Sequence, residues 1–313
     1  MKFLILLCAF FLSLVSLAQK PIDNVLLRAH WNIGETYEFE VTRIKKNWTH
    51  EDSVSIDSIT YKTKLAVQDT FAGYYDLIWS FDHECFNQYS VPAGLFNKVN
   101  KSTAFDVHYT TDQIGSFVGV QNWEAIGSKL HDDFQTTITA VTRDSSNARE
   151  EVTDLMTPFL DVITTKHGIE EIYLAELQYF HFPYGARFQL GDSLKYDQDI
   201  PNFLGGTPIK GKTAVYLKSI NQTNCTIISE MTLDPFQVKG LVINLLRGLN
   251  YDEDKMTKAM ASSRILIEDK NHMEYDHKKG IPIYIRAERI TEINLASAQN
   301  NRIDITEIRL IAK

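Results

Sequence analysis

Hydrophobic and polar residues alternate along much of the chain. Tyr37, Phe39 and Val41 are separated by Glu38, Glu40 and Thr42, and Ile59, Tyr61, Leu65 and Val67 keep the same period around Lys62 and Lys64. A period of two sends one set of side chains to each face of a strand. Tyr75, Leu77, Trp79 and Phe81 make a third run, and Phe105, Val107 and Tyr109 a fourth. Thr111-Asp112-Gln113-Ile114-Gly115 reads as a turn that returns the chain into Phe117-Val118-Gly119-Val120. One apolar and one polar face per strand predict an antiparallel meander packed on one side.

The same order then recurs. Ile33-Gly34-Glu35 is echoed by Leu190-Gly191-Asp192, Lys64-Leu65-Ala66-Val67 by Lys212-Thr213-Ala214-Val215, and Leu77-Ile78 by Ile227-Ile228. The hairpin from Tyr109 to Gly115 is matched by Tyr275 to Gly280, with Ile281 to Ile285 as its return strand. Each match is short, but four in one order at near-constant spacing predict an internal duplication. A first strand-rich unit is expected over residues 25–143 and a second over 186–313.

Between them, residues 148–182 read as a helical connector, with Val152, Leu155, Met156, Phe159, Leu160 and Ile163 as its apolar stripe. Trp123, Ile126, Leu130 and Phe134 predict a helix inside the first unit, and Asp144 to Asn147 a loop. Asp234-Pro235 supplies a cap and a first-turn proline for Val238, Leu241, Val242 and Leu245. Shorter helices are expected over Val91 to Val99 and around Met256 to Met260.

Met1, Lys2, the apolar run Phe3 to Val15 and Ser16-Leu17-Ala18 have the form of a secretory signal peptide, residues 1–18. The run is too short to span a hydrocarbon core of about 30 Å comfortably. The expected product is exported, periplasmic or extracellular, and soluble once the peptide is removed, with no integral membrane segment. Cys85 and Cys225 remain. An oxidising compartment allows a disulfide between them, although both sit beside strand-like runs and are read rather as buried thiols. Charge and composition narrow the class further: 44% hydrophobic and 23% charged residues are globular, and a formal charge of -8 argues against a nucleic-acid partner.

These features together, a secreted chain with a Gly-Glu or Gly-Asp turn into the first strand, a meander, an apolar helix and a Tyr-x-x-Asp-type hairpin with a Gly turn, resemble the LolA/LppX-like fold and secreted Bacteroidota envelope proteins with similar curved sheets. The resemblance implies an α+β architecture: two duplicated, curved, half-barrel-like antiparallel sheets with helices packed on one face. It also implies a space between sheet and helices able to hold acyl chains.

Candidate chemistry is sparse. Asp82-His83-Glu84 follows a strand end, and His272-Met273-Glu274-Tyr275-Asp276-His277 places His272 and Glu274 on one strand face. The first is read as a solvated loop and the second as a polar outer face. HExxH, GxSxG, P-loop and GxGxxG patterns are missing, so no catalytic residue, metal ligand or cofactor is assigned. The aromatic run Tyr179-Phe180-His181-Phe182-Pro183-Tyr184 stands where the connector meets the second unit. Tyr179, Phe180, Phe182 and Tyr184 are therefore the candidate ligand-binding residues, with a packed seam between units as the favoured alternative. The leading expectation is a non-enzymatic envelope protein that binds a lipid or lipidated peptide. The alternatives are a structural or protein-interaction module without a cavity, and a hydrolase assembled from His83, Glu84, His272 and Glu274.

Overall fold

The computed structural model describes residues 22–49, 54–81, 106–142, 160–170, 174–200, 207–248, 263–295 and 298–312, with isolated positions 153, 157, 202, 254 and 260. The signal peptide, Asp82 to Cys85, the Val91 to Val99 helix, the Asp144 to Asn147 loop and most of the Met256 to Met260 helix lie outside these residues.

In chain order the elements are β1 (Asn24–Leu26), β2 (Thr36–Thr49), β3 (Val54–Phe71), β4 (Tyr74–Phe81), β5 (Asp106–Asp112), β6 (Phe117–Val120), α1 (Trp123–Val141), α2 (Lys166–Gly168), α3 (Ala175–His181) and β7 (Arg187–Gln189). There follow β8 (Ser193–Ile200), β9 (Ile209–Ile220), β10 (Asn224–Leu233), α4 (Pro235–Gly248), β11 (Arg264–Asp276), β12 (Ile281–Leu295) and β13 (Ala298–Ala312). The expected strand runs are all present. Helix α1 starts at Trp123 as its spacing predicts, and α4 starts at Pro235, where Asp234 Oδ1 accepts from the amides of Phe236 at 2.8 Å and Gln237 at 3.1 Å.

Eleven strands form one open antiparallel sheet in the order β6-β5-β4-β3-β2-β13-β12-β11-β10-β9-β8, with β1 and β7 as a separate pair. The expectation of two sheets, one per unit, is corrected by this order. Strand β13 lies between β12 and β2 and pairs with both. Its register sets Ile308 opposite both Ile285 and Val41, so apolar side chains from both halves meet on one face. Without β13, both β2 and β12 would present a long unpaired edge.

The main core lies on that face. Phe39, Leu65, Trp79 and Tyr109 from the first half and Leu217, Ile227, Tyr275 and Ile285 from the second share it with Leu174, Leu177 and Phe180. A second cluster at the far end of β9 to β11 holds Ile209, Met231, Leu233 and Ile265 under Val238 of α4. Between the two clusters the same face turns polar.

Candidate ligand-binding site

Helix α3 is anchored in the middle of the sheet by a different side chain on each side. Phe180 is fully buried, with ring centroids 5.4 Å from Phe39 and 5.6 Å from Trp79, both edge-on. Glu176 is buried and its Oε1 accepts from Arg43 Nε at 2.6 Å and from the Tyr61 hydroxyl at 3.0 Å. Tyr275 donates to the Phe180 carbonyl at 2.7 Å.

His181 lies between two groups whose chemistry settles its tautomer. Its Nδ1 is 2.8 Å from the Gly115 carbonyl, which can only accept, so Nδ1 carries the proton. Nε2, 3.0 Å from the Tyr109 hydroxyl, is then the acceptor. Full burial pushes the imidazole pKa down to about 4, partly offset by the Gly115 hydrogen bond, so the ring is neutral near pH 7. Tyr109 and Tyr275, matched in the sequence echo, thus end on neighbouring residues of α3.

Beyond the helix, Tyr184 donates to the Gly280 carbonyl at 2.6 Å, and the Trp31 indole donates to the same oxygen at 2.9 Å. The aromatic run is consequently divided. Phe180 and Tyr184 are buried, Tyr179 is half-buried, and Phe182 is 42% exposed.

A cavity of about 480 Å³ lies between this run, the β6 hairpin and strands β8 to β12. Three of the four candidate residues, Tyr179, Phe182 and Tyr184, line it together with Phe117, Ile200, Met231 and Met273; Phe180 does not. Gln178 and His181 complete the side given by α3. The opposite side carries Gln198, Thr213, Ser229, Asn271, Asp269 and Arg289. Burial holds the Tyr179 phenol up at about 12, so it is an un-ionised hydrogen-bonding group.

The polar residues were missed from sequence, although a signal existed. On β10 the inward series Cys225, Ile227, Ser229, Met231, Leu233 is interrupted only at Ser229, and on β11 the series from Ile265 to Tyr275 is interrupted at Asp269 and Asn271. Register turns these isolated interruptions into a patch: Ser229 pairs Asn271, and Thr213, Met231, Asp269 and Arg289 stand side by side on consecutive strands.

Of the hydrolase candidates, His272 and Glu274 do not line the cavity. His272 Nε2 and Glu274 Oε1 are 2.9 Å apart, but on the face of β11 opposite Met273 and Tyr275, partly exposed beside Tyr284. His83 and Glu84 lie outside the described residues. Among the described residues no three His, Cys, Asp or Glu side chains are grouped as a metal site. Cys225 is a buried free thiol, its pKa pushed up to about 12 by burial. No helix among the described residues is long and apolar enough to cross a membrane.

No family model matches the chain, and no curated protein matches it. Among solved structures, one described as lipid-protein interactions in lipovitellin is similar with a TM-score of 0.42 and 10% identity, over 90% of this chain. This chain spans 26% of the length of that one.

Proposed function

We propose that the protein is an exported, non-enzymatic binder of an amphiphilic ligand, a lipid or a lipidated peptide, held between α3 and the sheet. The single observation that carries the reading is the cavity of about 480 Å³ with an aromatic and thioether wall. That volume falls within the roughly 300 to 1,000 Å³ usual for small-molecule sites, and such walls bind by removing apolar ligand surface from water. The signal-peptide pattern of residues 1–18 supports export, and the resemblance to LolA/LppX-like envelope proteins supports an acyl chain as the apolar part. Tyr109 and Tyr275, each donating to α3, support reading the two strand series as copies of one ancestral unit.

Native mass spectrometry of the protein purified from its own envelope tests the ligand. The expected result is a mass adduct that organic extraction removes and that lipid restores. Adduct-free protein that also fails to bind fluorescent fatty acids and lysolipids after extraction overturns the proposal.

A further inference from the structure

The cavity is not lined as a plain hydrocarbon pocket would be. Arg289 donates from Nε and a terminal nitrogen to both oxygens of Asp269, each at 2.6 Å, and among the described residues lining the cavity these two are the only charged ones once His181 is neutral. They cancel each other, so an anionic or cationic head group entering the cavity would lose its hydration and meet no net opposite charge. Uncharged hydrogen-bonding groups around the pair are under-used. The Thr213 hydroxyl is buried with no partner among the described residues. Gln198 spends its amide on the Met231 sulfur at 2.7 Å, a weak acceptor. Gln178 spends one amide hydrogen on the Glu170 carbonyl, leaving its own oxygen available.

A buried polar group without a partner is costly, and a ligand that supplies the missing partner would offset that cost. Several neutral donors and acceptors around a cancelled ion pair, with the Tyr179 and Phe182 rings close by, match a ring that carries many hydroxyls on its edge and C–H groups on its faces. We infer that the cavity recognises an uncharged polyhydroxylated group, a sugar, carried as a lipid head group or met free in solution. The lipid-borne form rests on the amphiphile reading above; the free form does not.

Calorimetric titration of delipidated protein with four probes below their micelle concentrations separates the cases: dodecyl maltoside, dodecanoate, dodecyltrimethylammonium and maltose. The expected result is dodecyl maltoside binding at least tenfold tighter than either charged dodecyl probe. Thr213→Val, which removes only the hydroxyl, should weaken maltoside binding several-fold, leave dodecanoate binding unchanged and raise the melting temperature of the ligand-free protein. Asn271→Leu provides a second variant with the same expected loss. If the charged probes bind as tightly as the maltoside, the amphiphile reading stands and the sugar inference falls. If maltose alone binds, a sugar site stands and the amphiphile reading falls. If nothing binds, both fall.

Discussion

At the scale of single residues, His181 couples the fold to pH. Its ring is neutral and fully buried, and its folded pKa of about 4 lies below the ordinary value of 6.5. Above pH 6.5 neither folded nor unfolded chain protonates it and its effect on stability is constant. As pH falls below that, the unfolded chain takes up a proton that the folded one resists, so stability drops until about pH 4. A shift of this size corresponds to roughly 3 kcal/mol. Urea midpoints should fall between pH 7 and pH 4.5, and His181→Phe should flatten that slope while lowering stability at pH 7 by the loss of the Tyr109 and Gly115 contacts. An equal slope in the variant would assign the pH dependence to other groups. The sequence made His181 visible as part of an aromatic run. Its two partners, from a strand and a turn more than sixty residues away, follow only from register and could not be read from local pattern.

At the scale of elements, the segment before β2 acts as a strap. The amide of Ala29 donates to the Ile114 carbonyl at 2.9 Å and that of His30 to the Lys279 carbonyl at 3.1 Å, so the strap joins the two glycine hairpins. Val25, Leu27, Ala29 and Trp31 are all buried, an alternation present in the sequence but too short to declare what it packs against. The strap passes so close to the second hairpin that a Cβ on Gly280 would lie 1.8 Å from the Arg28 carbonyl oxygen, and Gly280 has φ +62°. Gly280→Ala should therefore cost more than about 3 kcal/mol, combining a left-handed backbone with a steric clash. Gly191→Ala is the control: φ is +87° but a Cβ there would meet nothing within 4 Å, so the cost should stay near 1 to 2 kcal/mol. Chemical denaturation of both variants checks the contrast, and equal losses would show that the strap yields without cost. Helix α4, by comparison, was fully legible at its start because Asp234 and Pro235 act within one turn of the chain.

At the scale of the whole molecule, the meanders and their order were legible, whereas their union was not. Alternation reports which face of a strand is buried but carries no information about which strand lies alongside, and nothing in the pattern of β13 or β2 announces that they pair with one another across the two halves of the chain. That pairing bears on cooperativity. β13 matches β2 from Asn300 to Ala312 and β12 along nearly its whole length, and one core runs under both halves. Unfolding either half would strip β13 of one partner and open the shared core around Phe180, so the two halves should unfold together. The chain provides its own probes for this: Trp31, Trp48, Trp79 and Trp123 all belong to the first half, while far-ultraviolet circular dichroism reports strands of both. The expected outcome is one urea transition with coincident midpoints by tryptophan fluorescence and circular dichroism. If dichroism kept a second step after the fluorescence change was complete, the second half would be standing alone with β12 or β13 as a free edge, and the shared core would not be what holds the halves together.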